Sequence, residues 1–333
     1  MLLVTATFIS GCSEADEPDD PGMSPVTPQI IFLFSPGGLG DMSYNDCILE
    51  GVQQFKKLHP ETDVFLYSPP SVEAAERIFS DWIKRPGSNI PVVFALASSD
   101  FEGLVDKYIP DYELTDNKRI LLFESLKKYE DPRIYTFHVS MYGASYLAGV
   151  TAAECVAGER SLVLIGSSTD VPVESGRDGF IAGLDNDDYD VEYLADDWSG
   201  YVMADVTYRK MTDWASRYGF IFPIAGGSNT GLYRYAREFE NSPFLAGMDI
   251  DQSSLSTKIT GSVVKRLDRL VVEYFNEWLD TGEMPESRIY DLESGYVDWQ
   301  LSPLYERDFK QTVEANRRLA IEKEREYYAT SDY

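Results

Sequence analysis

The sequence predicts an α/β protein of two lobes, each a doubly wound parallel sheet, facing one another across a ligand cleft. Three observations carry this expectation. From residue 29 onward, short β-branched and apolar runs alternate with amphipathic helical patterns, as in parallel sheets joined by crossover helices. The alternation occurs twice, in the same order and with similar spacing. In both halves the strand-like runs end in polar or glycine-rich loops, where such sheets hold their ligands. With 333 residues, 44% of them hydrophobic, the chain can bury two cores of ordinary size.

The first lobe is expected at about 28–138, from the strands in "IIFLFSPGG", "DVFLYSPP", "IPVVFALASSD", "RILLFES" and "RIYTFHV" and the helical stretches between them. The second is expected at about 139–262, from "SLVLIGSSTDVP", "DVEYLADDWSG", "FIFPIAGGSNTG" and "PFLAGMDID". The helix "VVKRLDRLVVEYFNEWLD" is expected to return to the first lobe over 263–283, with 284–333 completing the second. In that last part "SPLYERDFKQTVEANRRLAIEKEREYY" reads as a charged amphipathic helix covering one lobe. Facing lobes would gather Ser35 to Tyr44, Ser98 to Asp100, Thr169 to Val171, Trp198, Gly226 to Asn229 and Asp249 around one small molecule.

The turn "SPGGLGDMSYND" stands where a nucleotide cofactor would bind, but its pattern argues against one. "GLGDMS" puts Ser43 at the third glycine position of the dinucleotide fingerprint, and the second strand ends at Tyr67 and Ser68 with no acid for a ribose. Asp41 at the helix entrance would repel a pyrophosphate while capping the free N–H groups there. No cofactor is expected. The net charge of −27, from 56 acidic and 29 basic side chains, leaves no basic excess for nucleic acid or an anionic membrane surface. His59 and His138 are isolated, and no metal or catalytic spacing surrounds either, so a structural role is expected for both, with contact to the ligand from near a lobe crossover as the alternative for His138. "DNDDYD" lacks the glycine and late glutamate of a calcium loop and reads as a surface turn. Cys47 and Cys155 are expected to be free thiols.

At the amino terminus, "MLLVTATFISGC" is apolar and too short to span a bilayer, which takes roughly 20 residues. "ISGC" resembles a bacterial lipobox, which implies that 1–12 are a lipoprotein signal peptide with Cys12 as the lipidated residue. The following "SEADEPDDPGMSPVTP", with five acids, four prolines and no base, reads as a solvated tether over 13–28. The expected location is the bacterial cell envelope, lipid-anchored and either periplasm-facing or surface-exposed.

"GGLGDMSYNDCILEGV" resembles the opening of the basic membrane protein family, bacterial lipoproteins that bind purine nucleosides as receptors for ABC importers. The resemblance continues through "MYGASYLAGVTAAE", "VPVESGRDGFIAGL", "FIFPIAGGSNTGLYRYARE", "LAGMDIDQ" and "ITGSVVKRLDRLVVEYF", in order, over roughly 30–295. It implies the type I periplasmic binding protein fold, a purine nucleoside or related small molecule as ligand, and an ABC permease as partner. It also implies site residues. Tyr44 takes the place of the base-stacking phenylalanine, Asn45 is the neighbouring asparagine, and Trp198 matches the second stacking aromatic. Asp249 matches an aspartate that holds ribose hydroxyls, and Lys265 the family's lysine; Asp251 is the alternative to Asp249, because side chains alternate along a strand. The first-strand aspartate falls on Ser35 and the third-strand aspartate near Ser98 to Asp100, with Ser99 and Asp100 taken as site residues, while Gly227 lies in the loop after the third strand of the second half. The serine at 35 leaves a nucleoside, a free base or another aromatic or sugar-like molecule open. A ligand sensor remains open as well. A nucleoside hydrolase is the enzymatic alternative, and it needs a compact carboxylate cluster on one lobe.

Overall fold

A computed structural model of the chain describes residues 26–156 and 158–330. The elements of the first half are β1 (Gln29–Phe34), α1 (Tyr44–Leu58), β2 (Asp63–Tyr67), α2 (Val72–Ile83), β3 (Val92–Ala97), α3 (Glu102–Tyr108), β4 (Lys118–Phe123) and β5 (Ile134–Val139). The second half repeats the order with α4 (Tyr142–Cys155), β6 (Ser161–Ser167), α5 (Glu174–Leu184), β7 (Tyr189–Ala195), α6 (Ala204–Trp214), β8 (Phe220–Ile224), α7 (Asn229–Glu238), β9 (Phe244–Asp249) and β10 (Ile259–Lys265). The chain closes with α8 (Leu267–Thr281), β11 (Arg288–Tyr290), β12 (Val297–Leu301) and α9 (Glu306–Thr330).

Two six-stranded sheets form, in the orders β11-β5-β4-β3-β1-β2 and β12-β10-β9-β8-β6-β7. The first is parallel throughout, and the second is parallel except for β12, which runs antiparallel to β10. Position in the sheet follows composition. β3 and β6 are buried at every residue, β3 as an unbroken apolar run and β6 around the apolar centre Leu162 to Ile165, whereas β2 and β7 sit at the edges with side chains partly in water. Strand order reverses between β1 and β3 in one sheet and between β6 and β8 in the other. Those switch points open the loops after Phe34, Ala97, Ser167 and Ile224 toward the cleft.

The largest core cluster runs across both lobes, from Phe32, Phe55 and Phe275 to Phe180 and Phe222, and smaller clusters fill the outer faces under α2 and α3 and under α6 and α7. The seam between α4 and α5 is built on glycine. A Cβ on Gly149 would lie 2.2 Å from the Phe180 carbonyl oxygen, and on Gly179 and Gly183 it would lie 2.2 and 2.1 Å from those of Tyr142 and Tyr146. The two helix backbones pack at a distance that no larger residue permits.

Two expected boundaries are corrected. Val263 and Val264 belong to β10, and the helix begins at Leu267; the β-branched run Ile259, Thr260, Val263, Val264 favours a strand over the helical phase it happens to share with "LVVEYF". Residues 284–333 do not all complete the second sheet, because β11 pairs with β5 of the first. The returning helix α8 packs on α1, and α9 covers α4. Cys47 and Cys155 are free. Cys12 and most of the acidic tether lie outside the described residues.

Candidate ligand-binding cleft

The glycine-rich turn holds no vacant phosphate cradle. Asp46 accepts from the Gly40 and Met42 N–H groups at 2.7 and 2.9 Å, and Asp41 accepts from those of Ser43 and Asn45, both at 2.9 Å. Gly38 and Gly40 adopt φ of 77° and 86°, which only glycine takes without strain, and Met42 follows them into the left-handed region. The turn is therefore capped by its own carboxylates. Burial pushes Asp41 up to about 6, against the lowering effect of those backbone donors. Asn45 is nearly inaccessible, and its amide is engaged with Ser35 at 2.8 Å, Gly38 at 3.0 Å and Asp41 at 3.1 Å, so it shapes the turn that presents Ser35.

One cleft between the sheets is lined by the nine residues singled out as site residues, Ser35, Tyr44, Asn45, Ser99, Asp100, Trp198, Gly227, Asp249 and Lys265, whereas Thr169, Val171, Ser228 and Asn229, from the loops also expected around the ligand, do not line it. Tyr44, at the start of α1, comes from the first lobe. Trp198 comes from the second, in a short turn whose leading Asp197 accepts from Ser199 N–H at 2.9 Å. Asp249 ends β9 in a left-handed conformation, φ 67°, and accepts from Ser43 Oγ at 2.5 Å across the cleft. The exposed Asp251 instead caps its own loop through Ser253 N–H at 2.9 Å, which settles the strand phase in favour of Asp249 facing inward. Gln252 Nε2 also crosses to the Met42 carbonyl at 2.7 Å, and Ser99 Oγ to Asp170 at 3.1 Å. The lobes are thus fastened to each other around the cleft.

The cleft's electrostatics centre on Lys265, the one basic residue among the described residues lining it. Its ammonium is buried, 2.9 Å from Glu124 and 5.5 Å from the Tyr44 ring centroid. Burial opposes its charge, but Glu124 and Asp249 more than compensate and raise its pKa. Burial also acts against Glu124, yet Lys265 and His138 prevail and hold it down at about 2. Glu124 is itself left-handed, φ 57°, so two strained carboxylates flank one cation. Asp100 is pushed up to about 6 by burial and by Asp170, and Asp170 is raised mainly by burial although Tyr201 and Ser99 donate to it. The Tyr44 hydroxyl is shielded from solvent and has no hydrogen-bond partner among the described residues.

Sequence reasoning did not nominate Glu124 or Tyr201, and it reached Asp170 only as part of the Thr169 to Val171 loop, although all three line the cleft. Tyr201 lies against Gly166, where a Cβ would come within 2.5 Å of its ring, a fit that only the assembled lobe reveals. Asp170 had a visible signal, since it ends a strand-to-helix loop equivalent to the one carrying Asp41. Asp41, Asp100 and Glu124 come from the first lobe and Asp170 and Asp249 from the second. Among the described residues, no group of three or more His, Cys, Asp and Glu side chains is placed to hold a metal ion. His59 binds Asn276 at 2.8 Å, and His138 is buried between Glu124 and Tyr328.

Two parallel-sheet lobes enclosing an aromatic and acidic cleft at their switch points define a two-lobed solute-binding protein. The model of the Bmp family, described as ABC transporter substrate-binding protein PnrA-like, matches residues 29–330, and the chain belongs to that family. It is similar to the ABC transporter nucleoside-binding protein BmpA of Lactococcus lactis subsp. cremoris (strain MG1363), with 21% identity covering 90% of this chain and 88% of the relative. Among solved structures it resembles an ABC transporter solute-binding protein from Aeropyrum pernix K1, at a TM-score of 0.70 and 16% identity over 87% of this chain and 81% of the other. It also resembles a transcriptional activator of the comK gene from Bacillus halodurans, at a TM-score of 0.64 and 16% identity over 87% and 96% of the two chains. These likenesses share the fold. No described helix is long and apolar enough to cross a membrane.

Proposed function

We propose that this substrate-binding protein is a lipid-anchored receptor that captures a purine nucleoside between its lobes and delivers it to an ABC importer. The observation that carries the reading is the convergence of Tyr44 and Trp198, from opposite lobes, on a cleft that also holds Asp249, Asp100 and Lys265. The aromatics suit the two faces of a planar base, and the carboxylates suit the hydroxyls of a sugar through charge-assisted hydrogen bonds. Nucleoside binding by the Lactococcus relative supports the same ligand class. The anchor is assigned to Cys12, so Cys12→Ser should release the protein from membranes, and wild type grown with labelled palmitate should carry the label at its mature amino terminus.

Ser35 favours one second reading. Where the family carries a ribose-binding aspartate this chain offers a hydroxyl, already engaged with Asn45, which suits a free base or another aromatic molecule. Calorimetry with inosine, guanosine, adenine and ribose separates the two. A nucleoside receptor binds the first two tightly and ribose weakly or not at all, whereas tighter binding of adenine than of any nucleoside selects the second reading. Mass spectrometry of ligands released from freshly purified, denatured protein identifies the natural occupant.

A further inference from the structure

The C-terminal helix reaches into the hinge and, through it, into the cleft. Three crossovers join the lobes: Ser140 between β5 and α4, Arg266 between β10 and α8, and the segment from Asp291 to Tyr296 between β11 and β12. Glu324 of α9, only 2% exposed, fastens two of them. Its Oε1 accepts from Ser140 Oγ and from Gly143 N–H at 3.0 Å, and its Oε2 accepts from Leu292 N–H at 2.9 Å. Room for the carboxylate is made by Gly143, where a Cβ would lie 2.6 Å from Oε2.

One turn further along the same face, Tyr328 begins a relay to the cleft cation. Its hydroxyl is 2.9 Å from His138 Nε2, His138 Nδ1 is 2.9 Å from Glu124 Oε2, and Glu124 Oε1 is 2.9 Å from Lys265 Nζ. His138 Nδ1 meets Glu124 Oε2 at contact distance without hydrogen-bond alignment, so this link is a close polar contact, whereas the Nε2 link to the Tyr328 hydroxyl is a hydrogen bond whose donor is set by the imidazole tautomer. Glu124 Oε2 also accepts from Val139 N–H at 3.0 Å, which ties the relay to the end of β5.

We propose that the last turns of α9 are a hinge strap and that Tyr328, His138 and Glu324 are positioning residues that set where the Lys265 ammonium stands in the cleft. The assignment rests on the reading of the cleft as the ligand site but not on the identity of the ligand. Without the strap, two crossovers lose their shared acceptor and His138 loses the Tyr328 hydroxyl that holds its ring beside Glu124. Lys265 would then keep its charge and lose its fixed direction.

The test is nuclear magnetic resonance on the full chain with isotope-labelled lysine, following the exchange-protected ammonium signal of Lys265, assigned by its loss in Lys265→Arg. In the ligand-free protein, Tyr328→Phe and His138→Gln are expected to shift or broaden this signal, while Arg318→Ala on the exposed face of α9 leaves it in place. Thermal unfolding of each variant verifies the fold; should His138→Gln fail to fold, Tyr328→Phe, which removes a single oxygen, decides alone. Inosine serves as the binding probe, and its affinity should weaken roughly two- to thirtyfold in the two relay variants. Absence of a protected ammonium signal in wild type, or a signal in Tyr328→Phe that coincides with wild type, overturns the proposal whatever inosine does. A signal that moves in a protein whose wild type binds no inosine upholds the strap and refutes the nucleoside reading.

Discussion

Tyr44 and Trp198 meet the cleft from opposite lobes, so each contributes separately to holding a flat ligand. Removing one stacking aromatic costs on the order of 1 to 3 kcal/mol, and Trp198→Ala should weaken nucleoside binding by roughly five- to a hundredfold. Asp249→Asn keeps the shape and removes a charged acceptor, which should cost about 1.5 to 3 kcal/mol for a ligand whose hydroxyl donates to it. Calorimetry on both variants checks this, and equal affinity of both with wild type for inosine would refute the site. The raised acids make a second prediction. A carboxyl with a higher pKa in the folded state than in the unfolded one stabilises the fold below its unfolded value, and that contribution disappears as pH rises through the folded value. For Asp41 and Asp100, both near 6, the loss falls between about pH 4 and 6. Glu124, held at about 2, works the other way, and its contribution fades only as pH falls below about 4.5 toward 2. Denaturant titrations of the ligand-free protein from pH 4 to 7 should show a decline over that window that Asp100→Asn makes shallower.

Among the elements, the α4–α5 seam is the most exacting. A methyl at Gly179 meets backbone on the facing helix, which cannot rotate away, so Gly179→Ala should destabilise by about 1 to 3 kcal/mol or more. Gly176→Ala is the matched control. Its Cβ would stand 3.0 Å from the Ile224 Cδ1 methyl, a side-chain end that can shift, and the cost should be smaller. Chemical denaturation of the pair distinguishes the two, and equal stabilities would contradict the close-packed seam. The same element shows what the sequence displays and what it conceals. The strands from β1 to β9 were legible because apolar runs bounded by turn residues carry their own signal. β10 was concealed because Val263 and Val264 fit the phase of the following helix, and β11, at three residues, is too short to show a period. In the cleft, residues attached to recognisable strand ends were readable. Tyr201 and the contacts of Glu324 were not, since glycines far away in sequence make the space that they occupy.

For the molecule as a whole, the division into two sheets joined by three crossovers makes lobe closure the natural motion, with a continuous core on the hinge side and hydrogen bonds bridging the cleft on the other. The bridges Ser43 to Asp249 and Ser99 to Asp170 use the same carboxylates that line the cleft, so closure and ligand capture draw on common groups. A ligand held by both lobes binds the closed form better than the open one and must shift the population toward it. Small-angle scattering with and without inosine, at concentrations that calorimetry shows to be saturating, tests this most directly. A receptor that closes on a nucleoside predicts a smaller radius of gyration with inosine than without, and a weaker contraction for Trp198→Ala at the same inosine concentration. An unchanged radius at saturating inosine would contradict capture by closure and leave a rigid pocket in its place.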